Sequence, residues 1–276
     1  MTLGIGGVEN TNANGGEMHR VVAAFVGSAV FLSTLVGAQV GLSATENNVE
    51  TVIPARQSVQ IPKSVYRIKT KDKVAFITID DGIYKTENSL AYVKANKLPV
   101  TAFLSSWTIK DSKKYFNEFT QWGSVQNHSA THASFAKKST DLDHEICYVQ
   151  KRYAKKYNWH PWMLRPPYGA GQDSQAVRRM GEKCGIQQIV MWDASISNGK
   201  ISYADSKLRP GSIVLMHFSK NLKKDLKLAV KKIREAGLEP ANLDDYLPRI
   251  NNVPAMLSVR SSVRPSVRAG LTQPAR

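Results

Sequence analysis

The fold of this 276-residue chain is decided by the stretch Val74-Ala75-Phe76-Ile77-Thr78-Ile79-Asp80-Asp81-Gly82. Its apolar, β-branched beginning is typical of a buried strand in a parallel sheet. Two adjacent carboxylates follow, and Gly82 permits a sharp exit from the strand. Because successive side chains point in different directions, we expect Asp80 and Asp81 to have different roles at the carboxyl end of this strand.

Strand-like and helix-like segments alternate about six times after residue 70, which predicts a parallel α/β fold. A closed barrel collects reactive side chains from the ends of many strands, whereas an open doubly wound sheet uses mainly one switch point. No glycine-rich phosphate loop follows any predicted strand, which argues against a nucleotide-binding fold. The barrel is favoured because polar residues able to do chemistry stand at several strand ends, namely Asp80, Asp81, His128, Arg165, Asp193 and His217.

The two ends of the chain differ in composition from its middle. In residues 1–46, Met18-His19-Arg20 precedes an uncharged apolar run, which predicts a signal peptide or an N-terminal anchor with a leader. Residues 47–70 are predicted to be a linker, and residues 71–250 a single domain. Residues 251–276 are predicted to be a disordered basic tail. Either interpretation of the N-terminus places the domain outside the cytoplasm.

The chain is strongly basic, with 38 Lys+Arg against 22 Asp+Glu and a formal net charge of +16. Such an excess is typical of proteins that meet nucleic acid, an anionic membrane or an anionic wall polymer, although it also serves solubility alone. The chain contains no nucleic-acid-binding motif, so we expect no nucleic-acid partner.

Only two cysteines occur, Cys147 and Cys184. Two cysteines cannot form a structural zinc site by themselves. In an exported protein they form either a disulfide or two buried thiols, and the sequence leaves both alternatives open.

The segment His128-Ser129-Ala130-Thr131-His132 places two imidazoles at positions i and i+4. On a helical turn this spacing would put both rings on one face, where they could share a metal ion. A carboxylate from a strand end would complete a set that suits Zn²⁺ or a similar divalent ion and leaves room for water. The structural alternative for Asp80 and Asp81 is a turn and a helix cap.

Four ordered segments resemble the motifs of the polysaccharide deacetylases, carbohydrate esterases of family 4 that share the NodB homology domain. They are Thr78-Ile79-Asp80-Asp81-Gly82, His128-Ser129-Ala130-Thr131-His132, Arg165-Pro166-Pro167-Tyr168-Gly169 and Leu215-Met216-His217. The resemblance covers about residues 70–248. It implies a distorted (β/α) barrel, hydrolysis of an acetyl group from a sugar, and a divalent metal, with zinc expected first and cobalt, manganese or nickel as alternatives.

The resemblance also implies roles for residues of the first three motifs. Asp81, His128 and His132 match the metal ligands of the family. Asp80 matches the general base that takes a proton from the attacking water, and Arg165 matches the residue that pairs with this base and keeps it ionised.

The acid half of the implied site is less complete. The backbone N–H of Tyr168 matches a donor to the oxyanion, and His217 matches the general acid. Trp192 and Asp193, which we expect with Tyr168 in the substrate and oxyanion pocket, match the start of a motif that usually ends in an Asp-Trp pair. In the family, the Asp of that pair tunes the acid histidine and its Trp lines the acetyl pocket. Here Asn198-Gly199 stand at that place. Because asparagine cannot stabilise an imidazolium as a carboxylate does, either Asp193 substitutes or His217 is a weaker acid.

Several of these residues have a structural alternative. Arg165 alone would be a surface or salt-bridging arginine, and His217 alone would be a hydrogen-bonded core histidine. Trp107, Trp122 and Trp192 are either core residues or platforms on which a sugar stacks.

The sequence therefore predicts a secreted or cell-surface, metal-dependent N-deacetylase of N-acetylglucosamine-type sugars in a cell-wall or extracellular glycan. Its expected partners are a polysaccharide substrate and a nearby anionic cell wall, with a membrane only if the N-terminal segment is retained. One alternative is an O-acetyl (xylan-type) esterase, which would suffer less from a weak acid because an ester leaves more easily. Another alternative is a wall-binding protein with the same fold and little turnover.

Overall fold

The apolar stretch that ends in two acids is the central strand of the sheet. The structure is a computed structural model that describes residues 64–249, and in it Val74–Asp81 form strand β2, buried except at its first and last residues. β2 pairs in parallel with β3 (Val100–Leu104) on one side and with β9 (Ser212–His217) on the other. The carboxyl ends of these three strands therefore lie side by side.

The two faces of β2 pack differently because successive side chains alternate. Ala75, Ile77 and Ile79 belong to a core cluster shared with the helices. Phe76 lies on the opposite face, in a cluster that includes Phe103. Thr78 and Asp80 follow Phe76 at intervals of two, so this alternation directs Asp80 to the face away from the helices.

The ten strands within residues 64–249 belong to one sheet, ordered β1-β6-β5-β4-β3-β2-β9-β7-β8, with β10 beside β2. All strand pairs are parallel except the β7–β8 hairpin. No strand pairing within residues 64–249 joins β1 to β8, so the barrel is distorted and not closed by a continuous ladder. The predicted fold class, a distorted (β/α) barrel, is confirmed. The strands not yet bounded are β1 (Ser64–Val65), β4 (Ser124–Asn127), β5 (Met163–Leu164), β6 (Gln188–Val190), β7 (Ala194–Ser197), β8 (Lys200–Tyr203) and β10 (Glu239–Pro240).

Helices follow most of the parallel strands. The long helical segment 143–157, here called α4, is π-helical at both ends (Asp143–Tyr148 and Tyr153–Tyr157) around the α-helical turn Val149–Arg152. Two short 3₁₀ turns occur at Pro167–Gly169 and Leu243–Asp245. The predicted alternation of strands and helices is confirmed, with ends that differ by a few residues. The other helices are α1 (Glu87–Asn96), α2 (Ser106–Ile109), α3 (Lys113–Phe119), α5 (Gln175–Lys183) and α6 (Leu222–Glu235).

Helix α6 shows how the sequence directs this packing. Its buried residues include Leu222, Leu226, Ala229, Val230 and Ile233, which recur at the helical period. Burying a large aliphatic side chain of this kind contributes about 1.5–3 kcal/mol. The lysines of α6 therefore remain on the opposite, solvent-facing side.

The sheet includes two residues of the segment that the sequence predicts to be a linker. Ser64–Val65 lie within the predicted linker 47–70, but they form edge strand β1, which pairs in parallel with β6. The two residues were missed because so short a strand has no recognisable alternation of its own. The predicted signal peptide or anchor, the rest of the linker before residue 64 and the basic tail 251–276 lie outside the described residues. Within residues 64–249, no helix combines the length and the apolar composition needed to cross a bilayer.

Cys147 in α4 and Cys184 after α5 form a disulfide, with Cα atoms 5.0 Å apart. Of the two alternatives left open by the sequence, the bridge is therefore the one found. The disulfide therefore joins α4 to the carboxyl end of α5.

Candidate active site

The two adjacent acids at the end of β2 face different partners. Asp80 is buried, and its Oδ1 accepts a hydrogen bond from Arg165 Nη1 at 2.8 Å. Asp81 has a left-handed backbone (φ 78°) and instead faces two histidines. Gly82 continues the turn with φ 86°, and a Cβ there would meet Thr108 at 2.8 Å. Neither acid caps α1, which begins at residue 87, so the helix-cap alternative does not apply.

Asp81, His128 and His132 converge on one point. Asp81 Oδ1 lies 3.4 Å from His128 Nε2 and 3.1 Å from His132 Nε2, and the three donor atoms lie within 4.8 Å of one another. Asp81 Oδ1 is buried yet has no hydrogen-bond partner, a situation that costs about 1–3 kcal/mol when nothing else satisfies the atom. One carboxylate and two imidazoles with such an orphaned oxygen fit a divalent ion.

His128 is held with one ring nitrogen directed at this point. Its Nδ1 lies 2.7 Å from the carbonyl oxygen of Arg165, so the Nδ1–H donates to that carbonyl and Nε2 faces Asp81. Metal-binding histidines are commonly oriented in this way by a backbone carbonyl. The structure thus brings the predicted ligand set together and supplies an orienting partner for His128.

The two histidines do not share a helical turn, contrary to the expectation from their spacing. Residues 128–133 form a loop after β4, in which Ser129 (φ 75°) and His132 (φ 67°) have left-handed backbones. These turns bring the ring centroids of His128 and His132 to 5.0 Å. A non-glycine residue in this conformation costs about 1–3 kcal/mol, so the surrounding structure must hold the loop in place.

Glu145 of α4 holds this loop. Its Oε2 accepts the backbone N–H groups of Ala130 (3.0 Å) and Thr131 (2.9 Å), and its Oε1 accepts the Thr131 hydroxyl at 2.7 Å. Within the loop, the His132 N–H donates to Ser129 Oγ at 2.9 Å. Sequence reasoning missed Glu145, although an acid beside Ile146 on the buried side of a helix was a usable signal.

Replacing Glu145 by alanine should lower zinc affinity about 10–100-fold, the usual loss when a partner behind the ligands is removed. The physical reason is that Glu145→Ala leaves two N–H groups of the ligand loop unpaired. Glu145→Gln keeps an acceptor oxygen and should retain most of the affinity. Competition with a chromogenic chelator measures the affinity, and circular dichroism of the metal-free proteins checks folding. A folded Glu145→Ala protein with wild-type zinc affinity would contradict this role.

Arg165 is fully buried beneath Asp80, not on the surface. Besides Asp80, its guanidinium donates to Thr78 Oγ1 (2.9 Å) and to the carbonyl oxygens of Val190 and Met191 (both 3.0 Å). Its Cζ also lies 4.2 Å from the centroid of the Phe103 ring. Arg165 therefore fixes the orientation of the Asp80 carboxylate.

Burial and charge shift the pKa values of three groups at this site. Burial raises the pKa of Asp81, but the imidazoles of His128 and His132 outweigh it and hold that pKa well below its ordinary value. Burial lowers the pKa of His128, but the charges of Asp80 and Asp81 raise it overall. Burial also lowers the pKa of Arg165, against the attraction of Asp80. Asp81 is thus kept in the ionised form that a cation needs.

Tyr168 lies over the loop that carries His128 and His132. Its ring centroid is 4.6 Å from that of His132, its backbone is left-handed (φ 61°), and 71% of its surface is exposed. The turn is held by hydrogen bonds from Gly169 and Ala170, which do not use the Tyr168 N–H. Trp192 is partly buried against a core cluster, with its ring centroid 5.6 Å from Arg165 Cζ. Tyr168 therefore lies beside His132, and Trp192 lies beside Arg165.

His217 is exposed at the carboxyl end of β9, where it pairs in register with Asp80. It is therefore not a core histidine. It contributes to the lowered pKa of Asp81, but less than His128 and His132 do, and burial acts in the opposite direction. None of the ion pairs within residues 64–249 involves His217.

Asp193 is not placed to serve the oxyanion or to tune His217. Its Oδ1 accepts the Ile213 N–H at 2.8 Å, and its Oδ2 accepts the Ser212 hydroxyl at 2.9 Å. These contacts are at the amino end of β9, about 13–16 Å along the strand from His217 at roughly 3.3 Å per residue. Asp193 instead secures the start of β9, and burial raises its pKa despite these hydrogen bonds.

Asn198 and Gly199 form the two-residue turn of the β7–β8 hairpin, with φ values of 53° and 77°. Asn-Gly is the preferred pair for such a turn. The sequence analysis compared this pair only with the Asp-Trp motif and did not predict the turn. Asn198 Oδ1 accepts from Asn221 Nδ2 at 3.0 Å, and Gly199 N–H donates to Asp225 Oδ1 at 2.6 Å. The pair therefore joins the hairpin to α6.

Comparison with known proteins gives one family. Residues 67–189 match the family model described as polysaccharide deacetylase. An uncharacterized protein of Streptomyces coelicolor is 29% identical over 201 residues, which cover 68% of this chain and 78% of that protein. The peptidoglycan-N-acetylglucosamine deacetylase PgdA of Listeria monocytogenes is 28% identical over 200 residues, or 68% of this chain and 41% of PgdA.

A similar solved structure is that of a family 4 carbohydrate esterase from Bacillus anthracis. It superposes with a TM-score of 0.56 at 26% identity, covering 68% of this chain and 88% of that one. The chain therefore shares both sequence and fold with these proteins, while it spans only about two fifths of the length of PgdA.

Proposed function

We propose that this chain, which belongs to the polysaccharide deacetylase family, removes N-acetyl groups from N-acetylglucosamine-type sugars of a cell-wall or extracellular glycan. The observation that carries this proposal is the convergence of Asp81, His128 and His132 beside the Asp80–Arg165 pair. The carbonyl carbon of an amide is a poor electrophile, and the amine is a poor leaving group. Hydrolysis therefore needs a polarised carbonyl, an activated water and a proton donor together.

Asp81, His128 and His132 would hold a divalent ion, with zinc the first candidate. Such an ion supplies Lewis-acid polarisation of the acetyl carbonyl and lowers the pKa of a nearby water. The residues themselves favour a cation because Asp81 stays ionised and the Nδ1–H of His128 donates to the Arg165 carbonyl.

Asp80 would act as the general base. Its carboxylate is buried, is oriented by the Arg165 guanidinium at 2.8 Å, and lies 3.7 Å from His128 Nε2. It therefore stands next to the ligand set without being part of it. In this position it can take a proton from the attacking water, with Arg165 holding the carboxylate in place.

Tyr168 and His217 would complete the reaction. The backbone N–H of Tyr168 would donate to the developing oxyanion. His217, exposed at the strand end opposite Asp80, would give a proton to the leaving nitrogen. The exposed rings of Tyr84 and Trp107 (52% exposed) offer apolar faces for sugar rings. Trp107 adjoins the loop of His128 and His132, since its backbone N–H donates to the Ala130 carbonyl at 3.1 Å.

The second candidate function is removal of O-acetyl groups. The observation that favours it is the lack of an ion-pair partner for His217 among residues 64–249. Without an ion-pair partner to hold its ring in place, His217 would be a less effective proton donor, which matters less for an ester because its leaving group needs less protonation.

A secreted or cell-surface location belongs to the same proposal. The Cys147–Cys184 disulfide supports it, because disulfides persist mainly in oxidising compartments. The basic surface supports a nearby anionic wall.

The proposal is tested by acetate release from an N-acetylglucosamine oligomer and from acetylated xylan, assayed with one protein preparation. We expect release from the oligomer, its abolition by a chelator and its restoration by Zn²⁺. Release from xylan alone would support the O-acetyl esterase instead. Metal and glycan binding without acetate from either substrate would indicate a wall-binding protein with little turnover.

A further inference from the structure

A row of exposed lysines begins three residues after His217. It consists of Lys220, Lys223, Lys224 and Lys227, and is called the lysine row below. Together with Asn221 these residues line a surface cavity of about 370 Å³. The last three lie on α6, where the spacing of Lys223 and Lys227 places them on one face, about 6 Å apart along the helix axis.

The lysine row is continuous with the candidate active site. Lys220 Nζ lies 5.5 Å from the centroid of the exposed Tyr84 ring. The Tyr84 N–H donates to the carbonyl of Phe218, the residue after His217, at 3.1 Å. At the other end, the side chain of Lys224 covers Gly199 in the hairpin turn. A polymer bound at the candidate active site could therefore continue along this face of the helix.

The charges of the lysine row are not neutralised within the described part of the chain. The ion pairs of α6 are all at its carboxyl end, where Lys231 and Lys232 pair with Glu235, and Arg234 pairs with Glu239. The one acid among the row's helical residues, Asp225, is buried and accepts the Gly199 N–H. Like charges at i and i+4 repel each other, so the row has an electrostatic cost that a bound anion would remove.

The row is more suited to an anion than the larger basic cavity of about 910 Å³ elsewhere on the domain. Among the cations of that cavity, Arg209 pairs with Asp205 at 3.5 Å and Lys232 with Glu235 at 2.8 Å. The backbone of Arg67, which lines that cavity, pairs with Ser212 at the amino end of β9, and His217 is at the other end of this strand. That cavity is therefore both partly neutralised and remote from the candidate active site.

We propose that the lysine row binds anionic groups of the glycan substrate, so that the protein prefers a strand whose sugars carry carboxylates over a neutral one. This inference rests on the proposed deacetylase function and specifies its substrate class. The aromatic rings near the ligand loop would contact any sugar, whereas the row would discriminate by charge. The contribution of such exposed charges falls as salt screens them.

The test compares peptidoglycan glycan strands without peptides, in which alternate sugars carry a lactyl carboxylate, with a neutral N-acetylglucosamine oligomer of the same length. The variant is Lys223→Gln/Lys224→Gln/Lys227→Gln. Its matched control is Lys69→Gln/Lys71→Gln/Lys73→Gln, with the same change of charge on exposed lysines before the amino end of β2.

At low salt we expect the row variant to raise KM for the acidic strand about tenfold, to change KM for the neutral oligomer less than about twofold, and to remove the salt dependence. The control variant should behave as wild type on both substrates. An equal loss on both substrates, or no loss on the acidic strand, would overturn the inference.

Fluorescence anisotropy of labelled strands separates this inference from the proposed function. If the wild type releases no acetate from any glycan, the proposed function fails. The row is then judged by binding alone: weaker binding of the acidic strand only by the row variant supports it, and unchanged binding overturns it.

Discussion

Replacing Asp80 by asparagine is expected to slow acetate release about 10²–10⁴-fold, the usual contribution of a general base, while metal binding is retained. Asp80 pairs with Arg165 and lies beside the ligand set of Asp81, His128 and His132 without belonging to it. Asparagine keeps the shape and can still accept from the arginine, so the fold should survive. Asp81→Ala, in contrast, removes the orphaned buried oxygen and should lose the metal. Initial rates and elemental analysis of bound zinc measure the two effects separately.

A matched control for these variants is Asp72→Asn, an exposed acid just before the amino end of β2. It makes the same chemical change at the opposite end of the strand and should leave both rate and metal content at the wild-type level. Loss of metal from Asp80→Asn, or full activity in it, would mean that the two acids do not have separate roles.

Replacing Arg165 by leucine is expected to lower the free energy of unfolding by about 3–5 kcal/mol, because it leaves the buried charge of Asp80 without its partner. The hydrogen bonds to Thr78 and to the carbonyl oxygens of Val190 and Met191 are lost at the same time. At about 2–4 °C per kcal/mol for a domain of this size, the melting temperature should fall by roughly 10 °C. Denaturant unfolding of the metal-free proteins gives the free energy directly.

The control for Arg165→Leu is Arg209→Leu, which breaks a surface pair with Asp205 at 3.5 Å. Exposed pairs contribute about 0–1 kcal/mol, so this variant should unfold almost as the wild type does. Adding Asp80→Asn to Arg165→Leu should cost less than the sum of the two single effects, because the unpaired charge is then removed. Equal stability of Arg165→Leu and the wild type would refute a structural role for the pair.

The barrel was predictable because its signals are local and repeated. The β-branched run of β2 is buried on both faces, and the periodic apolar residues of α6 bury one face of that helix. The resemblance of four short motifs then grouped residues that are far apart in the chain. Edge strand β1, only two residues long, carried no such signal.

The candidate site was predictable in its residues and not in its geometry. The i, i+4 spacing of His128 and His132 suggested a helical turn, but the rings meet through a loop with left-handed residues. Such a conformation is stable only where other groups hold it, and here Glu145 does so from α4. Motif matching also placed Asp193 in the pocket, whereas its hydrogen bonds secure the start of β9.

The sequence by itself determined the order of the strands and helices, the acids at the end of β2 and the set of chemically capable side chains, because these depend on local period and residue type. The tertiary structure alone decided which of those side chains meet: Arg165 under Asp80, His132 beside Asp81, and Asn198 with α6 instead of at the site. The physical reason is that these contacts depend on backbone turns and buried hydrogen bonds supplied by residues up to 87 positions away in the chain.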